Sequence, residues 1–171
     1  MKKPQQLIQR GLLLTLLSLG TSLQAAPLSA LGEIVLTSIE DGQARRLDSQ
    51  NQTAQLISFF EPDCPWCARQ LRDLDAARHQ CATPLPFALV GIHGDRMELR
   101  LTLRRAQAEH LPAYVASPEL LEALQGIPAT PHAVILDAQG HPIARMRGYI
   151  PLAQLCEIAE LLARARTETA H

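Results

Sequence analysis

Beyond Lys3 the chain contains no lysine; every later cation is an arginine. It also lacks internal repeats, low-complexity tracts and long linkers, which leaves a single domain rather than an array. An excess of positive charge is missing too. With Lys2, Lys3 and Arg10 set aside, 13 basic residues face 17 acidic ones, so no nucleic-acid partner is expected. Arg100, Arg104 and Arg105 lie at helical spacing and read as a solvated face. No cysteine stands directly after the N-terminal apolar run, so a lipid anchor is not expected.

That run, Gly11 to Leu23, is thirteen residues long and too short to span a bilayer. A basic start precedes it and Ala25-Ala26 follow. It is apolar on all sides, unlike an amphipathic core helix. The layout is that of a secretory signal over residues 1–25, with an uncleaved membrane anchor as the alternative. Residues 27–168 then form one domain, large enough to bury a core. Export implies an oxidising compartment where disulfides persist, and the four cysteines (64, 67, 81 and 156) are even in number.

Hydrophobic patterning gives the element order. Glu33 to Thr37 alternates like a strand, Asp41-Gly42 makes a turn, and Arg45 to Leu47 returns. Gln55 to Phe60 and Pro86 to Ile92 are apolar runs of strands buried on both faces. A helix runs from the Cys64-Pro65-Trp66-Cys67 motif to about His79, and another spans Asp95 to Glu109. Ala113 to Ala116 reads as a short strand, and Ser117-Pro118-Glu119 opens a helix with a serine cap. Ala133 to Asp137 and Ile143 to Arg147 form a late hairpin, and Leu152 to Arg164 is an amphipathic helix. Strands alternating with helices imply parallel crossovers, so the architecture is α/β: a mixed central sheet with helices on both faces.

Cys64-Pro65-Trp66-Cys67 carries the chemistry. Two cysteines three apart at the start of a helix place the first sulfur where the positive helix end and free N–H groups favour thiolate. The second lies about one turn further in, close enough to form a disulfide with the first. In α/β sheets, sites gather at the carboxyl ends of parallel strands, and this motif directly follows such an end.

Taken together, these segments resemble the thioredoxin superfamily and, within it, the exported TlpA/ResA-type thiol–disulfide oxidoreductases. The front hairpin carries the resemblance, with Phe59-Phe60-Glu61-Pro62-Asp63-Cys64-Pro65-Trp66-Cys67, Val90-Gly91-Ile92-His93-Gly94-Asp95, and Gly126-Ile127-Pro128-Ala129-Thr130-Pro131 ahead of the late hairpin. The helix and strand between Asp95 and Leu124 match that group's insertion. The resemblance implies a thioredoxin-like fold and a redox-active Cys64–Cys67 disulfide, with no further cofactor and no metal. It also implies a cis-proline facing the cysteines. Pro131 is the candidate, since Pro128 lies too far from Gly140. Thr130 would then present its backbone to a substrate strand beside Cys64.

The chain departs from plain thioredoxin in having Ser58 where that protein has a buried acid, and no lysine to partner one. Proton transfer to Cys67 must use another group or water. Glu61 is the nearest upstream acid, though it also reads as a solvated loop carboxylate. Pro65 and Trp66 either form part of the docking surface or, for Trp66, pack at the helix start. The dipeptide carries no charge or imidazole to stabilise the thiolate, unlike the histidine-containing motif of DsbA, and Asp63 disfavours it. A less stabilised thiolate makes a more reducing protein.

The expectation is therefore a periplasmic, monomeric reductant of protein disulfides recharged by a DsbD-type membrane partner. A DsbA-like oxidant using the same site is the alternative, and a thioredoxin-fold copper chaperone using His93 or His132 is the rival from another class. A disulfide isomerase is disfavoured because no dimerisation domain precedes the site. For Cys81 and Cys156 two arguments conflict and balance: compartment and parity favour a disulfide, whereas the fold implied by the resemblance sets them at opposite ends of two helices.

Overall fold

The computed structural model describes residues 31–47 and 53–168. The expected signal at residues 1–25 lies outside the described residues. A 3-10 turn at Leu31–Glu33 leads into β1 (Val35–Ser38), which returns as β2 (Ala44–Arg46). Then follow β3 (Gln55–Phe60), α1 (Pro65–Gln80), β4 (Phe87–Gly91), α2 (Arg96–Arg105) and β5 (Ala113–Val115). The chain continues as α3 (Pro118–Ala123), β6 (His132–Leu136), β7 (Pro142–Arg147) and α4 (Leu152–Glu168).

The strands form one mixed sheet in the order β2-β1-β5-β4-β3-β6-β7. β3 pairs parallel with β4, and β4 with β5; β6 and β7 join antiparallel on the other side of β3. β3 explains why the sheet is covered twice. Its side chains alternate, Leu56 and Phe60 entering a core with Leu71, Leu74, Leu99, Leu103 and Leu155 from α1, α2 and α4. Ile57 and Phe59 enter a second core with Leu120 and Leu124 from α3. Each such fully buried side chain contributes about 2 kcal/mol, so both faces must be covered for the strand to be stable. Gly91 lets α2 come close: a Cβ there would lie 2.5 Å from Leu99.

α1 buries Cys67, Leu71, Leu74 and Ala77 along one stripe, and Gln70 with them. The Gln70 amide accepts from Ile150 N–H at 2.7 Å and donates to Ile150 C=O at 3.2 Å, tying the helix to the β7–α4 loop. α2 stops a turn earlier than its pattern suggests. Gln107 adopts a left-handed φ of 59°, and Ala108 N–H reaches back to Leu103 C=O at 2.9 Å. Gln125 ends α3 the same way, with Gly126 N–H bonded to Leu121 C=O. Glycine usually marks that position, so the sequence hid both ends. Ser117 caps α3 as expected, accepting from Leu120 N–H at 3.2 Å.

Candidate redox site

Three strand ends meet at the site. β3 ends at Phe60, opposite Gly91 of β4, and Phe59 stands opposite His132 of β6. The residues just beyond those ends, Glu61 to Cys64, Ile92 to Gly94 and Thr130-Pro131, therefore share one edge of the sheet. Gly94 keeps two of these loops in contact: a Cβ on it would lie 2.8 Å from Pro62. Asp63 and His93 both hold left-handed backbones, with φ of 54° and 56°.

Cys64 is the N-cap of α1, and its sulfur accepts the backbone N–H of Cys67 at 3.1 Å. Pro65 occupies the first helical turn, where its missing N–H costs nothing. The two sulfurs are bonded, with their Cα atoms 5.2 Å apart. Cys64 is half-buried, whereas Cys67 has no solvent exposure. One sulfur can thus be met from outside and the other only from within. The Thr130–Pro131 peptide is cis, as expected of Pro131. Thr130 Oγ1 lies 3.7 Å from the Cys64 sulfur and donates to Glu61 Oε1. Glu61 Oε2 holds His93 Nδ1 at 2.6 Å. These bonds, Thr130 first and His93 second, keep the Glu61 carboxyl below its ordinary pKa. Among the described residues no hydrogen bond joins Glu61 to Cys67; its connections lead toward Cys64.

Asp63, expected to disfavour the thiolate, has a partner of its own. It points into solvent and lies 3.6 Å from Arg105 of α2. Ser58 is buried on the α1-facing side of β3, two residues from Phe60. A cleft of about 260 Å³ opens beside Cys64, lined by Asp63, Pro65, Ala68, Thr102 and Arg105. A larger one, about 380 Å³, lies among Ser38, Arg45, His110 and Tyr114, and no sulfur reaches it.

Trp66 is 56 % exposed, but it is not isolated. Its ring lies 5.7 Å from that of Tyr149, and the Arg69 guanidinium sits over both, 4.6 Å from Tyr149 and 5.7 Å from Trp66. Tyr149 donates to Asp73, and that bond raises its pKa. The sequence reading singled out none of Arg69, Asp73, Tyr149 or Gln70. Gln70 alone left a signal, as a polar residue inside the apolar stripe of α1.

The two histidines considered as metal ligands go elsewhere. His93 is engaged by Glu61. His132 is buried against Phe59, its ring nitrogens without a hydrogen-bond partner among the described residues. Burial first, then Arg145 and Arg147, lowers its pKa and favours the neutral ring. Among the described residues no three His, Cys, Asp or Glu side chains are grouped to hold a metal ion.

Cys81 and Cys156 are joined, with Cα atoms 5.1 Å apart. The separation expected between them was wrong. Ile150 lies beside Gln70 in the first half of α1, and six residues further on Cys156 meets Cys81 at the C-terminal end of that helix.

A family model for the thioredoxin-like domain matches residues 41–163. The chain belongs to the thioredoxin-like domain family. No curated protein matches it by sequence. Among solved structures it is similar to a thiol:disulfide interchange protein of the thioredoxin family from Chlorobium tepidum, with 18 % identity and a TM-score of 0.65 over 78 % of this chain and 95 % of that one. A secreted Mycobacterium tuberculosis disulfide oxidoreductase homologous to DsbE superposes with 14 % identity and a TM-score of 0.62, covering 76 % and 96 %. StoA from Bacillus subtilis does so with 17 % identity and a TM-score of 0.57, covering 72 % and 93 %. The fold expected from the resemblance is thus the observed one. The Cys64–Cys67 disulfide lies within the residues that the family model matches. No helix among the described residues is long and apolar enough to cross a membrane.

Proposed function

We propose that this protein reduces protein disulfides in the periplasm, with Cys64 as nucleophile and Cys67 as resolving thiol. The observation that carries this reading is the Cys64 sulfur at the α1 N-terminus, half-exposed and accepting the Cys67 N–H, above a sulfur closed to solvent. The Cys64 thiolate attacks one sulfur of a partner disulfide; that bond breaks, a mixed disulfide forms, and the partner's other sulfur leaves as thiolate. Cys67 then attacks Cys64 and releases the second partner sulfur. The partner gains two electrons and the chain ends as the Cys64–Cys67 disulfide. Glu61 is the nearest group able to take or return the Cys64 proton, through the Thr130 hydroxyl.

Pro131 and Thr130 form the platform on which a substrate strand pairs in passing. Pro65 and Trp66 complete it, with Tyr149 and Arg69 holding the indole in place. Exposed Trp66 and Arg69 with half-buried Tyr149 have the composition of a binding hot spot. The redox group is the disulfide itself, and the protein works as a monomer without a bound cofactor. The signal layout of residues 1–25 supports export, and a DsbD-type membrane partner would return the electrons. Direction follows from the uncharged Pro65-Trp66 pair, which adds nothing to hold the thiolate.

Equilibration of the Cys64–Cys67 couple with glutathione tests the direction. A reductant gives a potential nearer thioredoxin, about −270 mV, than DsbA, about −120 mV. A value at the DsbA end reverses the direction and leaves the site unchanged.

A further inference from the structure

Thr130 stands between two acceptors with one hydrogen to give. Its oxygen is within donor reach of both, 3.7 Å from the Cys64 sulfur and much nearer to Glu61 Oε1. We propose that ionised Glu61 claims the single hydrogen of the Thr130 hydroxyl, withholds it from the Cys64 sulfur, and so holds the site on the reducing side. The inference rests on Cys64 being the exchanging nucleophile.

A hydroxyl has one donor and two lone pairs. With the donor committed to Glu61, the lone pairs face Cys64. They accept a hydrogen from a thiol but repel a thiolate. Were the hydrogen turned to sulfur instead, it would make a charge-assisted bond to the thiolate. That would stabilise the reduced form and make the couple more oxidising. The competition is one-sided while Glu61 is a carboxylate, because a full carboxylate charge is a better acceptor than a half-buried sulfur. His93 is a positioning residue here. By engaging Oε2 it fixes the carboxylate with Oε1 toward Thr130.

The other charges around Cys64 do not replace this device. The α1 N-terminus and the Cys67 N–H favour the thiolate whatever Glu61 does. Asp63 is turned to solvent and bridged to Arg105 of α2. Asp95 and Glu98 are engaged in the α2 capping box. Arg145 and Arg147 of β7 act on His132. Glu61 is the acid that reaches the sulfur through a single hydroxyl.

Glu61→Gln removes the claim. Its amide can donate to Thr130 and free the hydroxyl hydrogen for sulfur. In the reduced protein, the pH midpoint for alkylation of Cys64 by iodoacetamide should fall by about one pH unit, tenfold in proton affinity. The exchange equilibrium with glutathione should move about tenfold, or about 30 mV, toward oxidant. Thr130→Val alone should not raise that midpoint, because the lost hydrogen was not serving sulfur and the lone pairs lost with it repelled the thiolate. Thr130→Val should also silence Glu61→Gln, while Thr130→Ser keeps its response.

An unchanged midpoint in Glu61→Gln overturns the inference. So does an equal shift in the Thr130→Val background, which would assign the effect to bare charge. If Glu61→Gln does not fold, Thr130→Val still decides: a midpoint raised tenfold would mean the hydroxyl had been stabilising the thiolate. A parent protein that fails to exchange with glutathione refutes the functional reading itself, a result distinct from all of these.

Discussion

The two disulfides of this chain sit at opposite ends of one helix. Cys64 is the N-cap of α1 and Cys81 its C-cap. Cys67 is closed to solvent, but Cys64, Cys81 and Cys156 are all half-buried, so each pair offers a sulfur to solvent, and Cα separations of 5.2 and 5.1 Å do not tell the pairs apart. The helix end does. At the N-terminus a backbone N–H and the positive end of the dipole meet the Cys64 sulfur, lowering the cost of a thiolate leaving or attacking. At the C-terminus Cys81 faces the negative end, where a thiolate is disfavoured. Loop size adds a second difference. Cys64 and Cys67 are three residues apart, whereas Cys81 and Cys156 close a loop of 75. The same covalent bond is a reagent at one end and a brace at the other.

The strongest way to break that contrast is to remove the sulfurs one end at a time. Cys64→Ser should reduce disulfide reduction of a model protein substrate to background, with the fold intact. Cys81→Ala with Cys156→Ala should keep the exchange rate within about twofold, since distant sites act independently. Loss of exchange in a folded Cys81→Ala/Cys156→Ala protein would show that the brace shares in catalysis. Stability should respond in the opposite sense. The double alanine variant should lose about 2–4 kcal/mol in urea unfolding, the range for closing a long loop. Reducing only Cys64–Cys67 opens no long loop and should lower stability by far less. Equal losses would erase the distinction.

Much of this was legible in the residues because it depends on local pattern. The apolar runs of β3 and β4, the motif at a strand-to-helix turn and the proline before β6 each identify themselves within a few residues. What stayed hidden depends on three-dimensional register. Glu61, His93 and Thr130 meet only because β3, β4 and β6 end at the same edge, and sequence spacing between them says nothing of that. The Cys81–Cys156 pair turned on where α4 begins relative to α1. The Gln70–Ile150 bonds fix that point, across 80 positions of chain. The end of α2 at Gln107 lay inside the expected Asp95 to Glu109 helix because the left-handed residue there is not glycine.

The smallest expected effect also separates the ends of α1, this time through pH. Glu61 near the N-terminal end has its pKa depressed, by Thr130 first and then His93. A carboxyl depressed on folding contributes stability that is full above its unfolded pKa of about 4.3 and is lost as pH falls through the lower folded value. Glu61 is partly open to water, so after screening the contribution is at most about 1 kcal/mol. Urea unfolding at a series of pH values should show Glu61→Gln less stable than the parent at neutral pH, the gap closing only below about pH 4. Cys81→Ala/Cys156→Ala removes no such carboxyl, so its deficit against the parent should stay flat across that interval. A Glu61→Gln deficit that stayed equally flat would mean the ionised carboxylate is no better bound in the folded protein than the amide. The Thr130 hydrogen would then have no reason to prefer it over sulfur.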